Sequence, residues 1–372
     1  MKKQIVKMLF FEYMATEIVT NVFLFCNSIE DVIALSLTCK RFRGIYNSTQ
    51  RLLILRNAVE AQFGPLEDAV QLVTHNASQP THILRSVAFS LALLKQLVHV
   101  GQVAEKWCDI YPFKKWRDNF ENRRLLTQGE RYRLRRALYR LWLYTRAFHN
   151  CHHSRELRMS PLMIQERAEL LHNWSTEELA EIADAHAMLR DVVHSNVCPS
   201  NGTIARRFNK RYPDQRHQLL FNIHLNYPTP PLSPLSAPPP QVSAYHSPPN
   251  LLFTHFNSSL MLANKYHSAY NRYTHNITHD PGSEGWGDDI GHYYVVEDML
   301  KLDPEQILWL KENAPLKGMV ETFVKGLGEW FENNGETWVQ TLEWVLKERD
   351  EDVGEVYQAI SDEELGIASC ED

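Results

Sequence analysis

The strongest constraint on this chain is a repeated helical punctuation. Thr127 and Glu130 stand three residues apart, ahead of Leu134, Leu138, Leu141 and Phe148. A hydroxyl followed by a carboxylate at that spacing can satisfy two free amide groups of a first helical turn. The apolar residues behind it recur at the 3.6-residue period. The signal returns at Ser175 and Glu178, ahead of Leu179, Ile182, Leu189 and Val193. Asp303-Pro304 adds an N-cap with proline at the first helical position. Val320, Phe323, Val324, Leu327 and Phe331 then form an apolar face, which Asn333-Asn334-Gly335 ends. Thr337 and Gln340 predict a cap for a further helix carrying Val339, Leu342 and Leu346. No strand-rich block and no repeat of 20 to 50 residues interrupts this pattern. The expected fold class is mainly α.

Helices also fit the rest of the chain. Ile18, Val19, Val22, Phe23 and Cys26 follow helical spacing, and Ser28 offers an N-cap to a segment carrying Val32, Leu35 and Cys39. Residues 48–110 read as helical, with Val87, Leu91, Leu94 and Val98 on one stripe. Residues 227–250 break the pattern, holding nine of the 18 prolines. Proline lacks the amide hydrogen that a helix needs, so this segment predicts an extended connector or exposed loop. Thr229-Pro230, Ser233-Pro234 and Ser247-Pro248 within it suit proline-directed phosphorylation.

Charge is uneven. The formal net charge is -6, yet Glu348 to Asp372 carries ten acids against one arginine. The acidic end is expected to fray beyond about 350. Lys114 to Arg140 carries ten Lys or Arg against three acids. Interleaved Trp116, Tyr132 and Tyr139 could hold nucleic acid, but a solvated helical face fits the spacing better, so nucleic acid is not an expected partner. The run could also contact the acidic end. The six cysteines are scattered, which predicts reduced thiols in an intracellular protein of the cytoplasm or nucleus. No run approaches 18 uninterrupted apolar residues, so no membrane association is expected.

Catalytic signatures do not emerge. His149, Cys151, His152 and His153 cluster, but a second pair that would close a zinc tetrahedron is missing nearby. Trp286, Asp288 and Asp289 lie in a Gly/Asp-rich loop without a calcium-loop rhythm or a phosphate-binding glycine motif. They are secondary candidates for substrate contact. His186 reads as a core histidine. The expectation is no catalytic residue, no metal and no cofactor.

One segment does carry a resemblance. "ATEIVTNVFLFCNSIEDVIALSLTCKRFRGIY", residues 15–46, resembles the F-box, a module of about three short helices. Glu17-Ile18 matches the opening of the family pattern and "DVIALSLTCKRF" its second half. The family's Leu-Pro is replaced by Met14-Ala15, at a position where the proline contributes to adaptor contact. "NVCPSNGTIARRF", "EGWGDDIGHYYVVEDMLKL" and "NNGETWVQTLEWVLKER" resemble a group of filamentous-fungal F-box proteins with long helical C-terminal regions. The resemblance places an F-box at 14–46, and composition and periodicity add helical regions at 47–226 and 251–350 around the connector 227–250, with an acidic tail at 351–372. The two helical regions could pack as one domain.

It further implies a substrate-recognition subunit of a ubiquitin ligase. Such a subunit docks on a Skp-type adaptor, and through it on a cullin-RING scaffold, and presents a protein target that the sequence does not name. Ile18, Val19, Val22, Val32, Leu35, Leu37 and Phe42 are the residues expected in the adaptor contact or directly supporting it. Two other readings remain: an F-box scaffold with no role in degradation, and a hydrolase or nucleic-acid-binding protein using the 285–289 loop or the basic run.

Overall fold

The computed structural model describes residues 14–121, 123–211, 223–224 and 296–369. The connector 227–250 and the candidates Trp286, Asp288 and Asp289 lie outside the described residues. The described chain is mainly helical, and no strand occurs among the described residues. It divides into two compact units. The first holds residues up to 74, 84–109 and 126–140; the second holds 75–83, 110–125 and 141 onwards.

In the first unit, three short helices come first: α1 (Thr16–Leu24), α2 (Ile29–Ser36) and α3 (Lys40–Tyr46). Each junction has a chemical cause. The Ser28 hydroxyl accepts the Asp31 amide at 3.0 Å and starts α2, and the Cys39 sulfur accepts the Phe42 amide at 3.5 Å and starts α3. Cys39 therefore caps α3 rather than extending α2. All three helices pack on α4 (Arg51–Phe63), which is followed by α5 (Leu66–Thr74).

Two longer helices, α6 (Leu91–Lys115) and α7 (Gln128–Phe148), begin in this unit. The expected stripe on α6 differs from the observed one. Ser90 caps the helix by accepting the Leu93 amide at 3.2 Å, so Val87 falls before it, and Val87 and Leu91 are exposed. The buried line is instead Leu94, Leu97, Ala104, Trp107 and Cys108. Phe63 approaches α6 so closely that a Cβ at Gly101 would lie 2.4 Å from its ring, and only glycine allows that approach.

The capping box at Thr127 and Glu130 forms as the spacing predicts. Further along α7, Arg135 donates to the Gly64 carbonyl at 2.9 Å and Tyr139 to the Phe63 carbonyl at 2.8 Å. These side chains satisfy carbonyls that the end of α4 leaves open. The arginines of α7 are not a solvated face. Arg135 is buried and, like Arg131, pairs with Glu105, while Arg140 pairs with Asp68 at 2.7 Å. Amphipathic spacing alone could not show that acids from neighbouring helices sit opposite them.

The second unit contains α8 (Pro161–Leu171), α9 (Thr176–Val192), α10 (Asn201–Arg211), α11 (Val296–Met299), α12 (Pro304–Asn313), α13 (Lys317–Leu327), α14 (Glu329–Asn333), α15 (Trp338–Glu348) and α16 (Val353–Ser361). Helix α9 is its buried spine. The capping box of Ser175 and Glu178 starts it, and Leu179, Ile182, Leu189 and Val193 are all buried. Asp303 caps α12 with Pro304 in the first turn. Gly328, at φ +86°, separates α13 from α14 within what the sequence suggests is one apolar face.

The acidic end does not fray within the described residues. Helix α16 packs on α9 and α15, and Val356, Ile360, Ile367 and Ala368 are buried. Lys115 donates to the Ile360 carbonyl at 2.9 Å and Trp116 to Glu363 at 2.7 Å. Asp184 of α9 accepts the Ile367 amide at 3.1 Å and the Tyr111 hydroxyl at 2.6 Å. The sequence count of acids hid the apolar residues spaced among them.

Candidate functional site

Two places concentrate unusual chemistry, one in each unit. In the first unit it is the surface of α1 to α3. Val19, Phe23, Val32, Phe42 and Ile45 fill the interior between these helices and α4. Phe23 meets Phe42 edge to face, with centroids 6.1 Å apart. Gln62 of α4 accepts the Ile29 amide at 3.1 Å and donates to Glu30 at 3.1 Å, fixing the start of α2. The interior is thus complete within the chain.

The outside is not polar, however. Ile18, Val22 and Phe25 along α1 are 48%, 45% and 83% exposed, and Ile33 and Leu37 at α2 are 44% and 68% exposed. Ile18 and Val22 are one turn apart, as are Ile33 and Leu37, so each pair shares a helix face.

The seven residues expected at an adaptor contact therefore separate. Val19, Val32 and Phe42 are buried inside the chain's own helices, Leu35 is half-buried, and Ile18, Val22 and Leu37 are exposed. Phe25 and Ile33, which that reading passed over, are exposed with them. The two sets look alike in sequence because α1 and α2 are apolar on more than one side. Position 15, where the family pattern has proline, is alanine at φ -59° and ψ 145°. The preceding Met14 carbonyl accepts a hydrogen bond from Arg41.

In the second unit the unusual feature is inside. Tyr144 places its hydroxyl 2.9 Å from both Thr337 and Thr341. His149 Nε2 lies 3.2 Å from the Thr337 hydroxyl, and buried Arg167 donates to Thr341 at 2.9 Å. The Thr337 hydroxyl is thereby drawn away from its own helix. Instead of a capping box with Gln340, Glu336 accepts the Trp338 amide at 2.6 Å. Nearby, buried Asp298 pairs with Arg155 and with Lys301, each at 2.8 Å. Lys301, fully buried, also donates to the Asn334 and Phe331 carbonyls.

Burial dominates the proton affinities in this cluster. It pushes His186 down to about 3, with Arg190 adding to the effect, and His153 down to about 4. It also holds His149 well below the ordinary histidine value. Burial pushes Glu336 up to about 7, against the opposing pull of the Trp338 and Thr337 amides and of Arg158 and Arg167. His186 and Glu336 approach to 3.9 Å. Since desolvation favours the neutral form of each, this contact is not an ion pair below neutral pH.

A His, a Glu and two Thr hydroxyls are an acid-base set in composition. Yet Tyr144, His149, Arg167, His186, Thr337 and Thr341 are all buried, and their hydroxyls are already engaged with one another. The arrangement fastens α7, α8 and α15. Among the described residues no group of three or more His, Cys, Asp or Glu is placed to hold a metal ion. His149, Cys151, His152 and His153 do not converge on one point: His149 turns to Thr337, while His153 stacks edge-on against Phe148. None of the five described cysteines is in a disulfide. Among the described residues no helix is long and apolar enough to cross a membrane.

No protein-family model matches the chain, and no curated protein or solved structure matches it.

Proposed function

We propose that residues 14–46 are an adaptor-docking module and that the chain is the substrate-recognition subunit of a Skp-cullin-F-box type ubiquitin ligase. The observation that supports this reading most is the exposed apolar set Ile18, Val22, Phe25, Ile33 and Leu37 on helices whose interior is already filled. Exposed apolar residues grouped on two adjacent short helices are costly to leave in water and suit the core of a protein interface. The resemblance of the 15–46 segment to the F-box names the occupant, a Skp-type adaptor. The chain then works by positioning: one module grips the adaptor while the helical region holds a protein target near the ubiquitin being transferred. Its own side chains perform no transfer step.

The test is capture of the adaptor together with its cullin. The tagged full-length chain, incubated with purified Skp-type adaptor and cullin-RING scaffold, is expected to retain all three on the resin. Retention of the adaptor without the cullin favours an assembly scaffold over a ligase receptor. Retention of neither removes the proposal.

A further inference from the structure

Within the second unit, the segment that follows α15 sits much as a bound peptide sits on a receptor. Residues 353–369 leave α15 through Asp350, Glu351 and Asp352, all exposed, just beyond Arg349. Arg349 is fixed to the unit, donating to the Trp174 carbonyl at 2.7 Å. Of the nine residues of α16 only Val356 and Ile360 are buried, whereas α9 buries eleven of its 17. The close fit comes after α16, where Gly366, Ile367 and Ala368 are enclosed.

The wall that receives them is built from the end of α6, Trp116 and α9, and it supports itself. Asp184 accepts the Tyr111 hydroxyl at 2.6 Å and pairs with Lys115 at 3.2 Å. Tyr111 meets Trp116 edge to face, with centroids 6.3 Å apart, and Arg124 stacks on the Trp116 ring at 5.0 Å. None of these contacts involves the segment, so emptying the pocket leaves Asp184 paired and the indole placed. Each polar group of the wall then takes one feature of the segment. Lys115 donates to the Ile360 carbonyl at 2.9 Å, Trp116 Nε1 donates to Glu363 at 2.7 Å, and Asp184 accepts the Ile367 amide at 3.1 Å. Gly366 has φ +95°, and a Cβ there would lie 3.0 Å from Asp184 Oδ2, so the wall demands glycine at that point.

We infer that this wall is a peptide-binding site that reads a carboxylate side chain, a glycine three residues later and an apolar residue after it. Glu363, Gly366 and Ile367 are the copy of that pattern supplied by the chain itself. Contacts to backbone groups give such a site affinity, and the side-chain contacts give it selectivity. A wall formed in advance loses little freedom when it binds. A partner polypeptide carrying the same pattern gains the site by displacing residues 353–369, with Asp350 to Asp352 as the hinge. The assignment deepens the receptor reading by naming a class of target, and it rests on that reading for what becomes of the captured protein.

The experiment uses the full-length chain carrying Gly366→Val with Ile367→Asp, which spoil the fit of its own segment, and a fluorescent peptide of residues 352–369. The peptide is expected to bind the variant saturably, and the parent chain at least about tenfold more weakly because the tethered segment competes. Glu363→Ala in the peptide should cost at least about tenfold, and Gly366→Val in the peptide should abolish binding. The variant should keep a cooperative thermal transition. Loss of that transition overturns the assignment, since the segment then belongs to the core. So does no binding by the variant, or equal binding by variant and parent. Equal binding of a scrambled peptide also overturns it, reducing the contact to acids on a basic surface. Adaptor capture by the parent chain tests the receptor reading independently, so the two can fail apart.

Discussion

The α1 to α3 surface and the interior around Thr337 invert the usual arrangement in opposite ways. The first leaves Phe25 and Leu37 in water. The second takes Lys301, Asp298, Arg167 and His186 out of it. Both cost free energy, but the costs are recovered differently. Inside the second unit, Lys301, Asp298 and Arg167 each meet an opposite charge, a hydroxyl or a carbonyl of the same chain, and His186 stays neutral, so the cost is settled on folding. At α1 and α2 nothing among the described residues covers the exposed apolar side chains, so that cost stands uncompensated within the described chain. The buried polar cluster in this molecule is therefore architectural, and the exposed apolar face is where the proposed adaptor would dock.

The largest expected effect breaks the interior side of that contrast. Asp298→Ala leaves Lys301 and Arg155 without their shared carboxylate in a buried place. It should lower stability by about 3–5 kcal/mol, read by chemical denaturation of the full chain. Little change would mean that the carbonyls of Phe331 and Asn334 suffice to hold Lys301.

Next comes acid sensitivity. His186 is neutral in the fold down to about pH 3, while in the unfolded chain it takes up a proton below about 6.5. The unfolded state thus binds more protons across that window, and this group's contribution is lost as pH falls from 6.5 towards 3, by up to roughly 1.4 kcal/mol per pH unit. Glu336 acts with opposite sign. Its folded pKa, raised to about 7, makes its contribution decline as pH rises from about 4.5 to 7. His186→Gln should flatten the acid limb of a stability-pH curve, and Glu336→Gln the neutral limb. Unchanged slopes in both would place these side chains in contact with water.

Smaller again is Tyr144→Phe. It removes the hydroxyl between Thr337 and Thr341 and should cost about 1–3 kcal/mol. A loss that instead freed Thr337 to cap α15 would appear as a penalty near zero.

The smallest change sharpens the exposed side. Ala15 already has φ -59°, within reach of proline. Ala15→Pro should raise stability by about 0.4–1 kcal/mol through the unfolded chain and tighten adaptor binding. A destabilised variant would show that the Met14-Ala15 departure is built into this backbone.

Local grammar made part of this molecule legible. The capping residues at 127, 175 and 303 act on amides within four residues of themselves, so their outcome needs no tertiary knowledge. Thr337 shows where that stops. Its hydroxyl chose between its own helix and two side chains 193 and 188 residues away in sequence, and the distant pair prevailed. Lys301 is similar. In "EDMLKLDPE" it looks like a solvated lysine, and only the packing of α11 with the turn at Asn334 reveals a buried ammonium. For the candidate site, sequence located the segment but could not tell Val19 from Val22, since which side of α1 meets α4 is decided in three dimensions. The arginines of α7 misled for the same reason, their acids lying on other helices.

The measurement that tests the central claim most directly is calorimetric titration of a purified Skp-type adaptor into the full chain and into its Val22→Asp, Leu37→Asp variant. Both positions are exposed, so the double variant should melt within about 1 kcal/mol of the parent. The account predicts saturable heat with the parent chain and none with the variant. Equal binding by both chains, or no binding by the parent, would contradict it.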